Sequence, residues 1–109
     1  MQHWELSTHE VDEHHPVVLA SEPEARAILL ALPAGERMQE HQVFERAWLT
    51  PIAGEIEVTA GETRCAGGPG LLVVFAPKER HEVRALSDAR LLLVLAPWPG
   101  EGRPPEWRS

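Results

Sequence analysis

The sequence predicts a small all-β domain, a barrel or sandwich of short strands. Three observations carry that reading. Short apolar stretches recur along the chain and are cut by Gly and Pro. Residues 54–60 (GEIEVTA) and 81–86 (HEVRAL) alternate apolar and polar side chains, as half-buried strands do. No segment of useful length carries the helical period.

The elements follow in order. Residues 16–20 (PVVLA) and 27–32 (AILLAL) are apolar strands, the second ended by Pro33, Ala34 and Gly35. Between them, residues 21–26 (SEPEAR) predict one helical turn, with Ser21 as cap and Pro23 early in the turn. Arg46–Ala53 reads as a strand interrupted by Pro51, which suggests an edge or a bulge. In residues 54–60, Ile56 and Val58 share one face; Gly61 then turns the chain into residues 62–65, giving a hairpin. Gly67, Gly68, Pro69 and Gly70 break the chain before residues 71–76 (LLVVFA), which are apolar on both faces. In residues 81–86, His81, Val83 and Ala85 share a face opposite Glu82 and Arg84. Ala89–Ala96 is again apolar on both faces after Arg90. A strand of that kind needs cover on both sides, from the N-terminal strands or from a second subunit.

The 109 residues suit one domain, with a core over about residues 16–96 and an irregular arm over 97–109. The arm is broken by prolines, and its Trp98 is expected to pack on the barrel or a partner rather than stay in water. Hydrophobic residues make up 43% of the chain, enough for a globular core.

The formal charge is −7, an acid excess that argues against nucleic acid or an anionic membrane as partner. No apolar run reaches the roughly 18 residues of a membrane span. The polar, acidic start is unlike a signal peptide, so a cytoplasmic protein is expected. Arg far outnumbers Lys, of which Lys78 is the only one, a composition typical of GC-rich bacterial genomes. Cys65 is the single cysteine, which forbids an internal disulfide and reads as a small core residue.

Residues 32–54 (LPAGERMQEHQVFERAWLTPIAG) contain Gly35, then His41 six residues on, and a closing Gly54. Residues 70–81 (GLLVVFAPKERH) contain Gly70, Pro77 and His81. These two stretches resemble the paired motifs of the cupins, with the second shifted by one residue on each side of its Pro. The resemblance runs from about Ala27 to Leu95 and implies a cupin-type double-stranded β-helix, a jelly-roll barrel. In metal-binding members, two His and a Glu of the first motif and a His of the second hold one divalent ion inside the barrel. Here the first and last positions are His41 and His81, but the second His position is Val43 and the Glu position is Ala47.

Glu45, four residues after His41, is the candidate replacement carboxylate if the strand runs regularly. Two imidazoles and one carboxylate would suit a divalent transition metal such as Fe, Mn, Ni or Zn. The competing reading makes Glu45 a solvated turn residue and leaves His41 and His81 as barrel-lining histidines with no metal. The resemblance further implies a ligand pocket lined by His41, Val43, Trp48, Phe75, His81 and Val83. Glu40 and Glu79 flank the histidines and are expected to point outward. The cluster His3, His9, His14 and His15 is irregularly spaced and reads as a solvated segment. Arg46, Arg84 and Arg90 are candidate readers of an anion, although alternation puts Arg84 outside. Trp48 and Phe44 also fit plain core packing.

Three functions follow as expectations. The first is a barrel that binds a small molecule in its interior. The second is a metal-dependent enzyme of dioxygenase or isomerase type using His41, His81 and Glu45. The third is a structural or interaction module acting as a homodimer through its apolar last strand. Homodimerisation is compatible with all three.

Overall fold

The computed structural model describes residues 1–41 and 43–104, with the backbone alone for residues 39–41. Among these residues there are nine strands and no helix. They are β1 (Val17–Glu22), β2 (Ala25–Leu32), β3 (Arg37–His41), β4 (Arg46–Ala53) and β5 (Ile56–Ala60), followed by β6 (Thr63–Gly67), β7 (Val73–Phe75), β8 (His81–Ala85) and β9 (Ala89–Ala96). They form two antiparallel sheets, one ordered β1-β2-β9-β4-β7 and the other β3-β8-β5-β6. The expected all-β jelly roll is therefore what the chain adopts.

The core lies between the sheets. Alternation along β9 sends Ala89, Leu91, Leu93 and Leu95 inward, and the paired register of β4 sends Ala47 and Leu49 to the same side. From the other sheet come Ile56, Val58, Val83 and Ala85, all nearly inaccessible. Fully burying an aliphatic side chain of this size is worth about 1.5–3 kcal/mol, so this layer dominates stability.

The outer face of β9 carries Arg90, Leu92 and Val94, each half-buried. The N-terminal strands do not cover this face. They extend the same sheet, with β2 pairing beside β9. Cover at one end comes from the segment before β1. There the Arg90 guanidinium donates to the carbonyls of Leu6 (2.7 Å) and His9 (2.6 Å). Leu29, which pairs with Leu92 in register, is fully buried on this face.

Residues 21–26 do not form the expected helical turn. Ser21 pairs with Arg26 and Glu22 with Ala25, so Pro23 and Glu24 make the turn of a β1–β2 hairpin. Cross-strand pairing outweighs the local cap, because each added pair extends a ladder already nucleated by the apolar strands. Pro51 sits where expected: β4 has a register shift between Pro51 and Ala53, and β7 pairs only as far as Leu49. The strand expected over residues 71–76 shrinks to β7, and its two apolar faces are not both covered. Leu72 (61%) and Val74 (44%) remain exposed, because β7 is an edge strand. Closing Gly54 has φ +75°, and a Cβ there would overlap the Asp88 carbonyl oxygen, so only glycine fits the turn.

Candidate functional site

β3 and β8 are adjacent and antiparallel, and His41 and His81 are partners in their register. The two motif histidines thus come from neighbouring strands, as expected. The His41 side chain, with those of Gln39, Glu40 and Gln42, lies outside the described residues.

His81 opens β8 and faces inward with Val83 and Ala85. It is 5% exposed and stacks on Phe75, with ring centroids 3.8 Å apart and planes 14° off parallel. Its Nδ1 lies 3.1 Å from the Glu79 carbonyl oxygen. A carbonyl only accepts, so Nδ1 carries a proton in this contact. Beside the ring, an open depression of about 290 Å³ is lined by Thr59, Gly61, Arg80, His81 and Glu82. The imidazole itself is packed within the barrel, on the opposite side of the sheet from Thr59 and Glu82.

The other expected pocket residues separate into two groups. Val43, Phe75 and Val83 lie in the core, and they pack in the same apolar cluster. Trp48 does not join them. It pairs with Val94 and Val74 on the outer face of the five-stranded sheet, so its place in the pocket is corrected. The reason is parity: Ala47 and Leu49 are each 1% exposed on the inner side, which sends Trp48 outward.

Glu45 is neither a solvated turn residue nor a member of the His41 strand face. Residues 44 and 45 form a bend between β3 and β4, which breaks the four-residue parity with His41. The Glu45 side chain is fully buried. Its Oε2 accepts from Arg103 Nε (2.6 Å) and from the Gly100 amide (2.7 Å), and its Oε1 accepts from the other arm of the same guanidinium (2.6 Å). Burial alone would raise the pKa of this carboxyl. The hydrogen bonds and charge of Arg103 and the Gly100 amide outweigh that and hold it below the ordinary value. The group is thus an anchor for the C-terminal arm that is ionised at neutral pH.

The arm is built around this anchor. Trp98 is 8% exposed and joins the core cluster, as expected for an aromatic residue leaving the last strand. The Arg26 guanidinium lies 4.0 Å from its ring centroid and that of Arg103 lies 4.6 Å away. The Trp98 amide donates to the Pro23 carbonyl in the β1–β2 turn (3.2 Å). Gly100 passes so close to Phe44 that a Cβ would overlap its carbonyl oxygen. Trp107 lies outside the described residues.

Arg103, which sequence reasoning did not single out, is thus a main determinant of the site's geometry. No local signal marks it, because its partner is 58 residues away. Among the anion-reader candidates, Arg84 is exposed as expected, Arg46 is exposed, and Arg90 is engaged with the N-terminal segment. His3, His14 and His15 are exposed and His9 is half-buried. Among the described residues, no three or more His, Cys, Asp or Glu side chains converge as a metal-binding group. Cys65 is half-buried and packs against the core, in line with its expected role.

The architecture is shared with solved structures. A cupin superfamily protein from Desulfitobacterium hafniense superposes with a TM-score of 0.74 at 17% identity, covering 84% of this chain and 85% of that one. An RmlC-like cupin from Desulfovibrio desulfuricans gives 0.74 at 20% identity, covering 89% and 96%. An RmlC-like cupin from Methanocaldococcus jannaschii, described as a double-stranded β-helix, gives 0.70 at 22% identity, covering 84% and 88%. No family model and no curated protein matches the sequence. The chain is a small cupin-type jelly-roll domain, and at these identities the likeness shows the fold alone.

Proposed function

We propose that this chain is a small-molecule-binding barrel that works without the four-ligand metal centre of the metal-binding cupins. The observation that carries the reading is His81: a polar imidazole held inside the apolar barrel, oriented by the Glu79 carbonyl and stacked on Phe75. An apolar surround with a few fixed polar groups is the usual composition of a ligand site. The donor set supports the metal-free form. Val43 and Ala47 carry no ligating atom, and the nearby carboxylate of Glu45 is committed to Arg103. The enzyme reading with His41, His81 and Glu45 would require that buried ion pair to break, a cost of several kcal/mol.

Metal analysis of the untagged protein, combined with an NMR screen of small uncharged and anionic organic molecules, tests this. The expected result is sub-stoichiometric metal together with ligand-induced shifts of the His81 ring signals. Stoichiometric Fe, Mn, Ni or Zn that disappears in His81→Ala would overturn it in favour of the metal-dependent enzyme.

A homodimer is the second reading, and it rests on a different face. The outer side of the five-stranded sheet presents Trp48, Leu92 and Val94 half-buried, with Val74 exposed beside them. Apolar surface of this kind marks interaction sites. Sedimentation at micromolar concentration is expected to give a dimer that Trp48→Glu converts to monomer. A wild-type monomer would sink this reading.

A further inference from the structure

We propose that the slot between β6 and β7 is the ligand's binding site, and that it takes a small, uncharged, apolar molecule about the size of one aromatic ring. This rests on the small-molecule reading above and names the ligand class and its point of entry.

The topology creates the slot. β6 ends one sheet and β7 ends the other, and no ladder joins them. The two sheets pack face to face, but their edges at this point stay unzipped. The opening that results has a volume of about 160 Å³. Its walls are Val58, Ala60, Cys65 and Val73, with the Phe75 ring at the inner end. Val58 and Phe75 are 3% and 2% exposed, so the slot reaches the core rather than resting on the surface. Cys65 pairs with Val58 in register, which turns its thiol to the same inner side.

Size and chemistry set the class of ligand. Ordinary drug-sized sites occupy about 300–1,000 Å³, so this one is too small for a nucleotide or a sugar chain. An apolar cavity of about 150 Å³ holds a benzene molecule. The polar groups at the rim are Thr63 and Glu79. A carboxylate at the entrance of a protein of net charge −7 disfavours an anion. The walls offer nothing to hydrate a cation deeper in, which leaves a neutral molecule.

The slot is preformed. The connection from β6 to β7 is fixed by the Leu71 amide donating to the Gly68 carbonyl (3.0 Å) and by the Thr50 hydroxyl donating to the Leu71 carbonyl (2.7 Å). It also leads to the site described above. A molecule in the slot would lie against Phe75, and Phe75 is the ring on which His81 stacks. Trp98 and the Glu45–Arg103 pair are packed in place beside the bend before β4, so entry between the two edge strands avoids the cost of undocking the arm.

Toluene is the probe, read by methyl NMR and by alkylation of Cys65 with iodoacetamide. The expected result is that toluene shifts the methyl signals of Val58 and Val73. At ten times its Kd it should slow Cys65 alkylation about tenfold, the fraction of empty slot left by mass action. Cys65→Phe, whose ring fills the slot, should abolish the shifts; should that variant not fold, alkylation protection in the unaltered protein decides. Unmoved methyls with unprotected Cys65 at saturating toluene would overturn the proposal. Shifts confined to Val43 and His81 would also overturn the slot while leaving the barrel-binding reading in place. An absence of shifts anywhere, with toluene and with the broader set of organic molecules, would remove both.

Discussion

The barrel end at Glu45 and the seam between β6 and β7 bound the same apolar core, yet one is sealed and the other is open. The sealed end uses a buried bidentate ion pair, a tryptophan inserted into the core, and a glycine pressed against the Phe44 carbonyl. The open seam has two short edge strands, of five and three residues, with no ladder between them. The difference shows where this chain has spent its polar groups. A buried carboxylate four residues along the chain from a motif histidine suggests chemistry, but here it fastens a strap. The accessible apolar surface lies instead at the side, where neither sheet closes.

The comparison breaks most sharply at Arg103. Arg103→Ala leaves Glu45 as a buried charge without its partner and should cost about 3–5 kcal/mol in chemical denaturation. Replacing both residues together, Glu45→Leu with Arg103→Met, should recover most of that loss, because an apolar pair needs no compensation. A single-variant loss below about 1 kcal/mol would show that the end is not sealed by this pair.

Gly100→Ala is the next largest. Its Cβ would overlap the Phe44 carbonyl oxygen, and the arm must shift to accept it. Overpacking of this kind costs about 1–3 kcal/mol, and the shift should appear as a change in Trp98 fluorescence. Unchanged stability and emission would mean that the arm is not seated against Phe44.

Acid should do the same work by titration. The folded pKa of Glu45 lies below its ordinary value of 4.5, so the unfolded chain takes up this proton first as pH falls. The stabilisation from the ionised group is therefore complete above pH 4.5 and is lost as pH drops through the folded value. Stability measured from pH 7 down to strongly acid pH should fall in that window, and Glu45→Gln should flatten this part of the profile. An identical acid profile in the variant would assign the dependence to other carboxylates.

The smallest effect is expected on the outside of the second sheet. Arg37 and Glu82 form an ion pair at 3.1 Å with side chains 61% and 33% exposed. Removing it with Arg37→Ala should cost less than about 0.5 kcal/mol, since solvent and side-chain entropy cancel most of the attraction. A loss as large as that at Arg103 would contradict the difference between buried and exposed charge in this chain.

How much of this was legible follows from particular residues. The apolar patterns of Arg46–Ala53 and Ala89–Ala96 give the bounds of β4 and β9 to the residue, because a buried central strand writes its parity into the sequence. Trp48 was legible by the same rule, since its neighbours Ala47 and Leu49 claim the inner side. β3 was not, because its RMQEH sequence is polar and it pairs with a neighbour on one side only. The hairpin at Pro23 was misread because the local cap pattern carries no information about the strand lying across from it. The Glu45–Arg103 pair was invisible, as two charged residues 58 positions apart look like ordinary surface.

The sequence by itself determined the all-β class and the faces of the central strands. These follow from hydrophobic parity and turn chemistry, which act over a few residues. The tertiary structure decided what Glu45 binds, where the C-terminal arm with Trp98 docks, and which edge of the barrel stays open. Those outcomes depend on which distant groups meet and how well each buried charge is paired, and no local pattern encodes either.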